Sequence, residues 1–184
     1  MTVRPSERPL AWNVAGLLAE DPGAERVHEV EGVSIDLGQD LALAAPIEGR
    51  ARLSRTNRGI LASADFHAAL ALQCSRCLRD ITFGVDVRFR EEFLPSLDPA
   101  TGRPLAAVDE QDVGKLSDHH ELDLETSVRE ALQLAEPLAP LCRPDCLGLC
   151  SVCGGRMDEG SHDHPDDAMD PRLAALRGFR ADDA

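Results

Sequence analysis

Two neighbouring stretches, "ASADFHAALALQC" (62–74) and "ITFGVDVRF" (81–89), alternate apolar and polar residues with a period of two. Adjacent runs of that period bury one face most simply as the arms of an antiparallel hairpin. The first puts Ala64, Phe66, Ala68, Leu70, Leu72 and Cys74 on one side, with Asp65, His67 and Gln73 on the other. The second turns Ile81, Phe83, Val85, Val87 and Phe89 inward and Thr82, Asp86 and Arg88 outward. "IEGRARLSR" (47–55) alternates in the same way and joins the first arm through "RTNRG" (55–59), and "RVHEVEGVSID" (26–36) is a weaker fourth run. The expected framework is an antiparallel meander with "CSRCLRD" (74–80) at one hairpin tip.

The other segments read differently. Residues 1–25 are rich in Pro and charge and read as an extended arm. Residues 95–120 have no clean period and many turn formers, and read as a long acidic loop. "LDLETSVREALQLAEP" (122–137) predicts the main helix, about 123–136, with Leu124, Val128, Ala131, Leu132 and Ala135 on one face, Asp123 capping and Pro137 ending it. The acidic tail, 158–184, contains "DPRLAALRG", which predicts a short helix over 171–177. The fold class is therefore α+β, with residues 26–157 as a single domain. The chain is 43% hydrophobic, so it can build a core without disulfides, but one Trp, no Tyr and five Phe make that core aliphatic.

All six cysteines lie in three units: Cys74-x2-Cys77, Cys142-x3-Cys146 and Cys150-x2-Cys153 followed by Gly154 and Gly155. The opening residues lack the apolar core of an export signal and no run spans a membrane, so the expected compartment is the reducing cytoplasm. There, close cysteine pairs indicate metal or catalysis rather than structural bridges. A two-residue spacer lets two thiolates face one ion, and four thiolates make a closed structural zinc site. Three quartets are open: Cys74 and Cys77 with Cys150 and Cys153; Cys142 and Cys146 with Cys150 and Cys153; or Cys74 and Cys77 with Cys142 and Cys146; a two-metal cluster sharing all six thiolates is a rarer fourth arrangement. A redox dithiol at Cys74 and Cys77 is the weaker reading, because its flanks are strands and not a helix N-terminus. A catalytic zinc is weaker still: no His-Glu-x-x-His is present, and "SHDH" (161–164) reads as solvated loop.

Charge narrows the partners. The chain carries a net −14, which disfavours nucleic-acid binding through its overall field. The stretch 50–90, however, holds eight arginines against three aspartates. Arg50, Arg52, Arg55, Arg58, Arg76 and Arg79 are thus candidate contacts for a partner or RNA. Arg76 and Arg79, with Arg143 and Arg156, are also placed to offset the −2 charge of a four-thiolate zinc centre. No motif calls for a small-molecule substrate.

"LQCSRCLRDI" (72–81), "FREEFLPS" (89–96), "DLETSVREALQLAEPLAPLCRPDCLGLCSVCGG" (123–155) and "DPRLAAL" (170–176) together resemble the bacterial YceD family, named for large ribosomal RNA subunit accumulation. The resemblance implies a non-enzymatic factor needed for large-subunit (23S) rRNA levels and ribosome biogenesis. It implies large-subunit rRNA or its precursor as a partner, directly or indirectly, and supplies no catalytic residue. The alternative is a module that holds a basic ribosomal protein without touching rRNA.

Overall fold

Strand β4 (Ile60–Gln73) sets the architecture. Its even-numbered residues from Ile60 to Leu72 are all buried, and its odd-numbered ones face away, as period-two alternation requires. It pairs antiparallel with β3 (Ala42–Arg55) on one side and β5 (Asp80–Leu94) on the other. With β2 (Glu25–Val33) beyond β3, the four strands form the expected meander. The sheet order is β2-β3-β4-β5-β6, and the short β6 (Gly114–Lys115) adds parallel to β5. The computed structural model describes residues 8–39, 41–98, 101–105, 113–164 and 172.

The fold is α+β and mostly antiparallel. The buried sheet face carries Ile47, Ala51 and Leu53 of β3, the even residues of β4, and Val85, Val87 and Phe93 of β5. Phe66 is the largest fully buried side chain and the rest of the core is mainly aliphatic. Phe83, expected inward, is 37% exposed, although its partner Leu70 on β4 is fully buried. β5 is longer than its alternating run because Phe93 pairs with Ile60, buried in the same core.

Three segments depart from the sequence reading. Part of the supposed extended arm forms β1 (Ala11–Asn13) and a single helical turn, α1 (Ala15–Leu18), which bury Leu10, Val14, Leu17 and Leu18. β1 pairs with β7 (Glu121–Asp123), and this pairing takes Asp123, the first residue of the predicted helix. The helix, α2, therefore runs Glu125–Leu134, with the Asp123 carboxylate accepting the Glu125 N–H at 2.9 Å. Leu124, Val128 and Leu132 are fully buried as expected, and α2 packs on β5. The third departure is the acidic loop, which contains β6, a Leu97–Pro104 bridge and buried Leu116. The predicted helix 171–177 lies outside the described residues except for Arg172.

Candidate metal centre

The β4–β5 turn folds as a tight knuckle. The Cys74 N–H donates to the Arg79 carbonyl at 2.8 Å and the Leu78 N–H to the Cys74 carbonyl at 2.9 Å. This closes Cys74-Ser-Arg-Cys77 so that both sulfurs face inward. Leu78 follows in the left-handed region, φ 55°, the conformation Gly154 adopts with φ 71° after the Cys150–Cys153 pair. The chain after α2 then crosses the tip, where the Ser75 N–H donates to the Pro140 carbonyl at 2.8 Å. That crossing delivers Cys142 and Cys146 to the knuckle.

Of the three quartets open in the sequence, the fold brings together Cys74, Cys77, Cys142 and Cys146. Their four sulfurs all lie within 4.8 Å of one another, with Cys74–Cys146 at 3.8 Å and Cys77–Cys142 at 3.7 Å. Four sulfurs tetrahedrally placed at ~2.3 Å from one ion would sit about 3.8 Å apart. Cys74, Cys77 and Cys146 are buried and Cys142 is half-buried. The thiol electrostatics also favour a cation. N–H groups of Cys142 and Cys77 draw the Cys74 thiol down to about 6. Burial pushes Cys142 up to about 12, helped by the neighbouring cysteines, and burial also raises Cys146. One thiolate is thus stabilised by the backbone while its neighbours resist ionisation beside it. A divalent ion would allow all four to ionise.

Cys150 and Cys153 stand apart, against two histidines. The Cys150 sulfur is 3.3 Å from His164 Nε2 and the Cys153 sulfur 3.5 Å from His162 Nδ1, all four donor atoms lying within 4.8 Å. The reading of "SHDH" as free solvated loop is therefore corrected: the acidic surroundings hid a His-x-His nine residues after Cys153. Both groups could hold a metal ion.

The arginines near the cysteines tie the two groups together. Arg79 bonds Asp158 at 3.1 Å and Glu159 at 3.0 Å, and Arg143 reaches Asp158 at 3.4 Å. Arg156 Nε donates to the Cys77 carbonyl at 3.1 Å, and Arg76 donates to the Cys146 carbonyl at 2.9 Å. Arg55 is turned into the fold, donating to the Leu18, Thr56 and Gly59 carbonyls, and Arg58 pairs with Glu92 at 2.7 Å. Arg50 and Arg52, by contrast, lie on the solvent face of β3. Across β4 from them stand Arg88 and Arg90 of β5, in the rows Arg50–Asp65–Arg88 and Arg52–Ser63–Arg90. The four arginines line a depression of about 490 Å³.

Residues 62–180 match the family model described as "Large ribosomal RNA subunit accumulation protein YceD". The chain belongs to the YceD family. Both cysteine groups lie within the YceD match. Uncharacterized protein Rv2926c of Mycobacterium tuberculosis (strain H37Rv) is 34% identical over 179 residues, covering 91% of this chain and 80% of that protein. Uncharacterized protein Mb2951c of Mycobacterium bovis gives the same figures. Uncharacterized protein ML1660 of Mycobacterium leprae is 31% identical over 141 residues, 76% of this chain and 61% of its own length. No solved structure matches the chain. Among the described residues no helix is long and apolar enough to cross a membrane.

Proposed function

We propose that the protein is a non-enzymatic, zinc-stabilised factor for 23S rRNA accumulation in the cytoplasm. The family match carries the reading. Zinc at Cys74, Cys77, Cys142 and Cys146 has a structural role: it clasps the hairpin tip to the chain after α2. A crosslink closing about 65–70 residues removes on the order of 4 kcal/mol of unfolded-chain entropy. A closed four-thiolate site leaves zinc no position for substrate.

The surface for RNA is the outer face of β3–β5. Arg50 and Arg90 are exposed and have no ion-pair partner among the described residues. Arg52 pairs with Glu25 at 2.8 Å and Arg88 with Asp65 at 3.3 Å, and both guanidinium groups remain accessible. Glu29 stands opposite Arg50 in the β2–β3 register but makes no ion pair with it. Arginine forks suit phosphate oxygens, and among the described residues Phe83 is the one exposed aromatic, too little for a base-stacking platform. Contact is therefore with the backbone and independent of sequence.

The net charge of −14 favours a second reading, in which the partner is a basic ribosomal protein and RNA is never touched. Equilibrium binding of the purified chain to a large-subunit rRNA fragment and to basic ribosomal proteins, across a salt series, separates the two. Salt-sensitive RNA binding is the expected result. Binding to a basic protein alone would replace the first reading with the second. On the first reading, Arg50→Ala/Arg90→Ala lowers the slope of log K against log salt by about 1.4 for single-stranded RNA, two phosphate contacts being lost.

A further inference from the structure

We propose that Cys150, Cys153, His162 and His164 bind a second zinc ion, loaded and lost independently of the inner one. The inference rests on local geometry and stands whether or not the RNA reading holds.

Two thiolates and two imidazoles are a standard closed zinc set, and at ~2.3 Å for sulfur and ~2.0–2.1 Å for nitrogen their donors would sit about 3.5 Å apart. The observed Cys150–His164 and Cys153–His162 separations are 3.3 and 3.5 Å. A thiol–imidazole hydrogen bond could explain either pair alone. It does not explain why the two pairs converge, with all four donor atoms within 4.8 Å.

The ring of His162 is oriented for this task. Its Nε2 lies 2.7 Å from the Arg156 carbonyl, which can only accept, so that nitrogen carries the proton. Nδ1 is left with its lone pair aimed at the Cys153 side, the outer hydrogen bond selecting the ligating tautomer. The backbone makes room for the ring. A Cβ on Gly155 would lie 3.2 Å from His162 Cε1 and 3.4 Å from the Cys153 sulfur.

The large apolar side chains of this segment do not hold it by burial, although Gly148 and Cys150 are buried. Leu147, Leu149, Val152 and Met157 are all exposed, from 37% to 66%. The ties on this segment are polar, Arg79 and Arg143 to Asp158 and Arg156 to the Cys77 carbonyl, and a metal crosslink would add to them what hydrophobic packing does not. The two groups also differ in access. Cys153 is exposed where three of the inner sulfurs belong to buried cysteines. The outer ion is therefore the one that exchanges.

The test is metal content and metal uptake on the full chain. Wild type should contain two zinc ions per chain, and a chelator should remove one quickly and the other slowly. His162→Ala/His164→Ala should retain one, the slow one, with an unchanged far-ultraviolet dichroism spectrum. His162→Cys/His164→Cys keeps four soft donors and should restore the second ion, which guards against a variant that merely misfolds. Cobalt(II) titration of the metal-free chain should show two steps with distinct ligand-field spectra, one of four sulfurs and one of two sulfurs and two nitrogens. A single zinc per wild-type chain with a single cobalt step would overturn the proposal. Two ions retained by the double alanine variant would overturn it as well.

Discussion

Leu78 holds a left-handed backbone, φ 55°, at the hairpin knuckle while its side chain is 54% exposed. That conformation costs an L-residue roughly 1–2 kcal/mol, and glycine escapes the cost at the expense of roughly 0.5–1 kcal/mol of extra unfolded-state freedom. Leu78→Gly should therefore stabilise the protein by about 0.5–1 kcal/mol, read as a higher urea midpoint. A loss of stability would mean that the leucine side chain makes a contact worth more than the backbone strain. The residue scale is also where the site was least legible. The spacing marks all six cysteines as chemistry-bearing, but a quartet is a fact of three dimensions, and local spacing does not say whether Cys142-x3-Cys146 or Cys150-x2-Cys153 joins the hairpin pair. His162 and His164 sit among Asp and Ser, so composition argues for solvent and only the His-x-His spacing argues against it.

At the scale of elements, alternation made β3, β4 and β5 legible because one face of each is buried and the other is wet. The elements it missed are those formed by pairing with something distant. β1 finds β7 more than 100 residues away, and that contact both folds the supposed arm and shortens α2 at its start. The same alternation places Arg88 and Arg90 beside Arg50 and Arg52, although they are far apart in sequence. α2 supplies a direct check on how the core is held. Leu132 is fully buried and Leu134, two residues on, is 88% exposed. Leu132→Ala should cost about 2–5 kcal/mol in denaturant unfolding and Leu134→Ala no more than about 0.5. Equal losses would mean that α2 does not pack on β5 as described.

For the whole molecule, we propose that a metal clasp at one end of the meander supports a sheet whose open face meets rRNA. The two ends are coupled through β4 and β5, which carry the knuckle at their tip and two rows of the arginine grid along their length. Losing the clasp should therefore weaken the fold and, through it, the function. The measurement that bears most directly on this is the ratio of large- to small-subunit rRNA in cells depleted of the protein and supplied with wild type or with Cys74→Ser/Cys77→Ser. The expected result is a low ratio on depletion, restored by wild type and not by the double serine variant. A ratio unchanged by depletion would contradict the function, and full rescue by the variant would contradict the clasp.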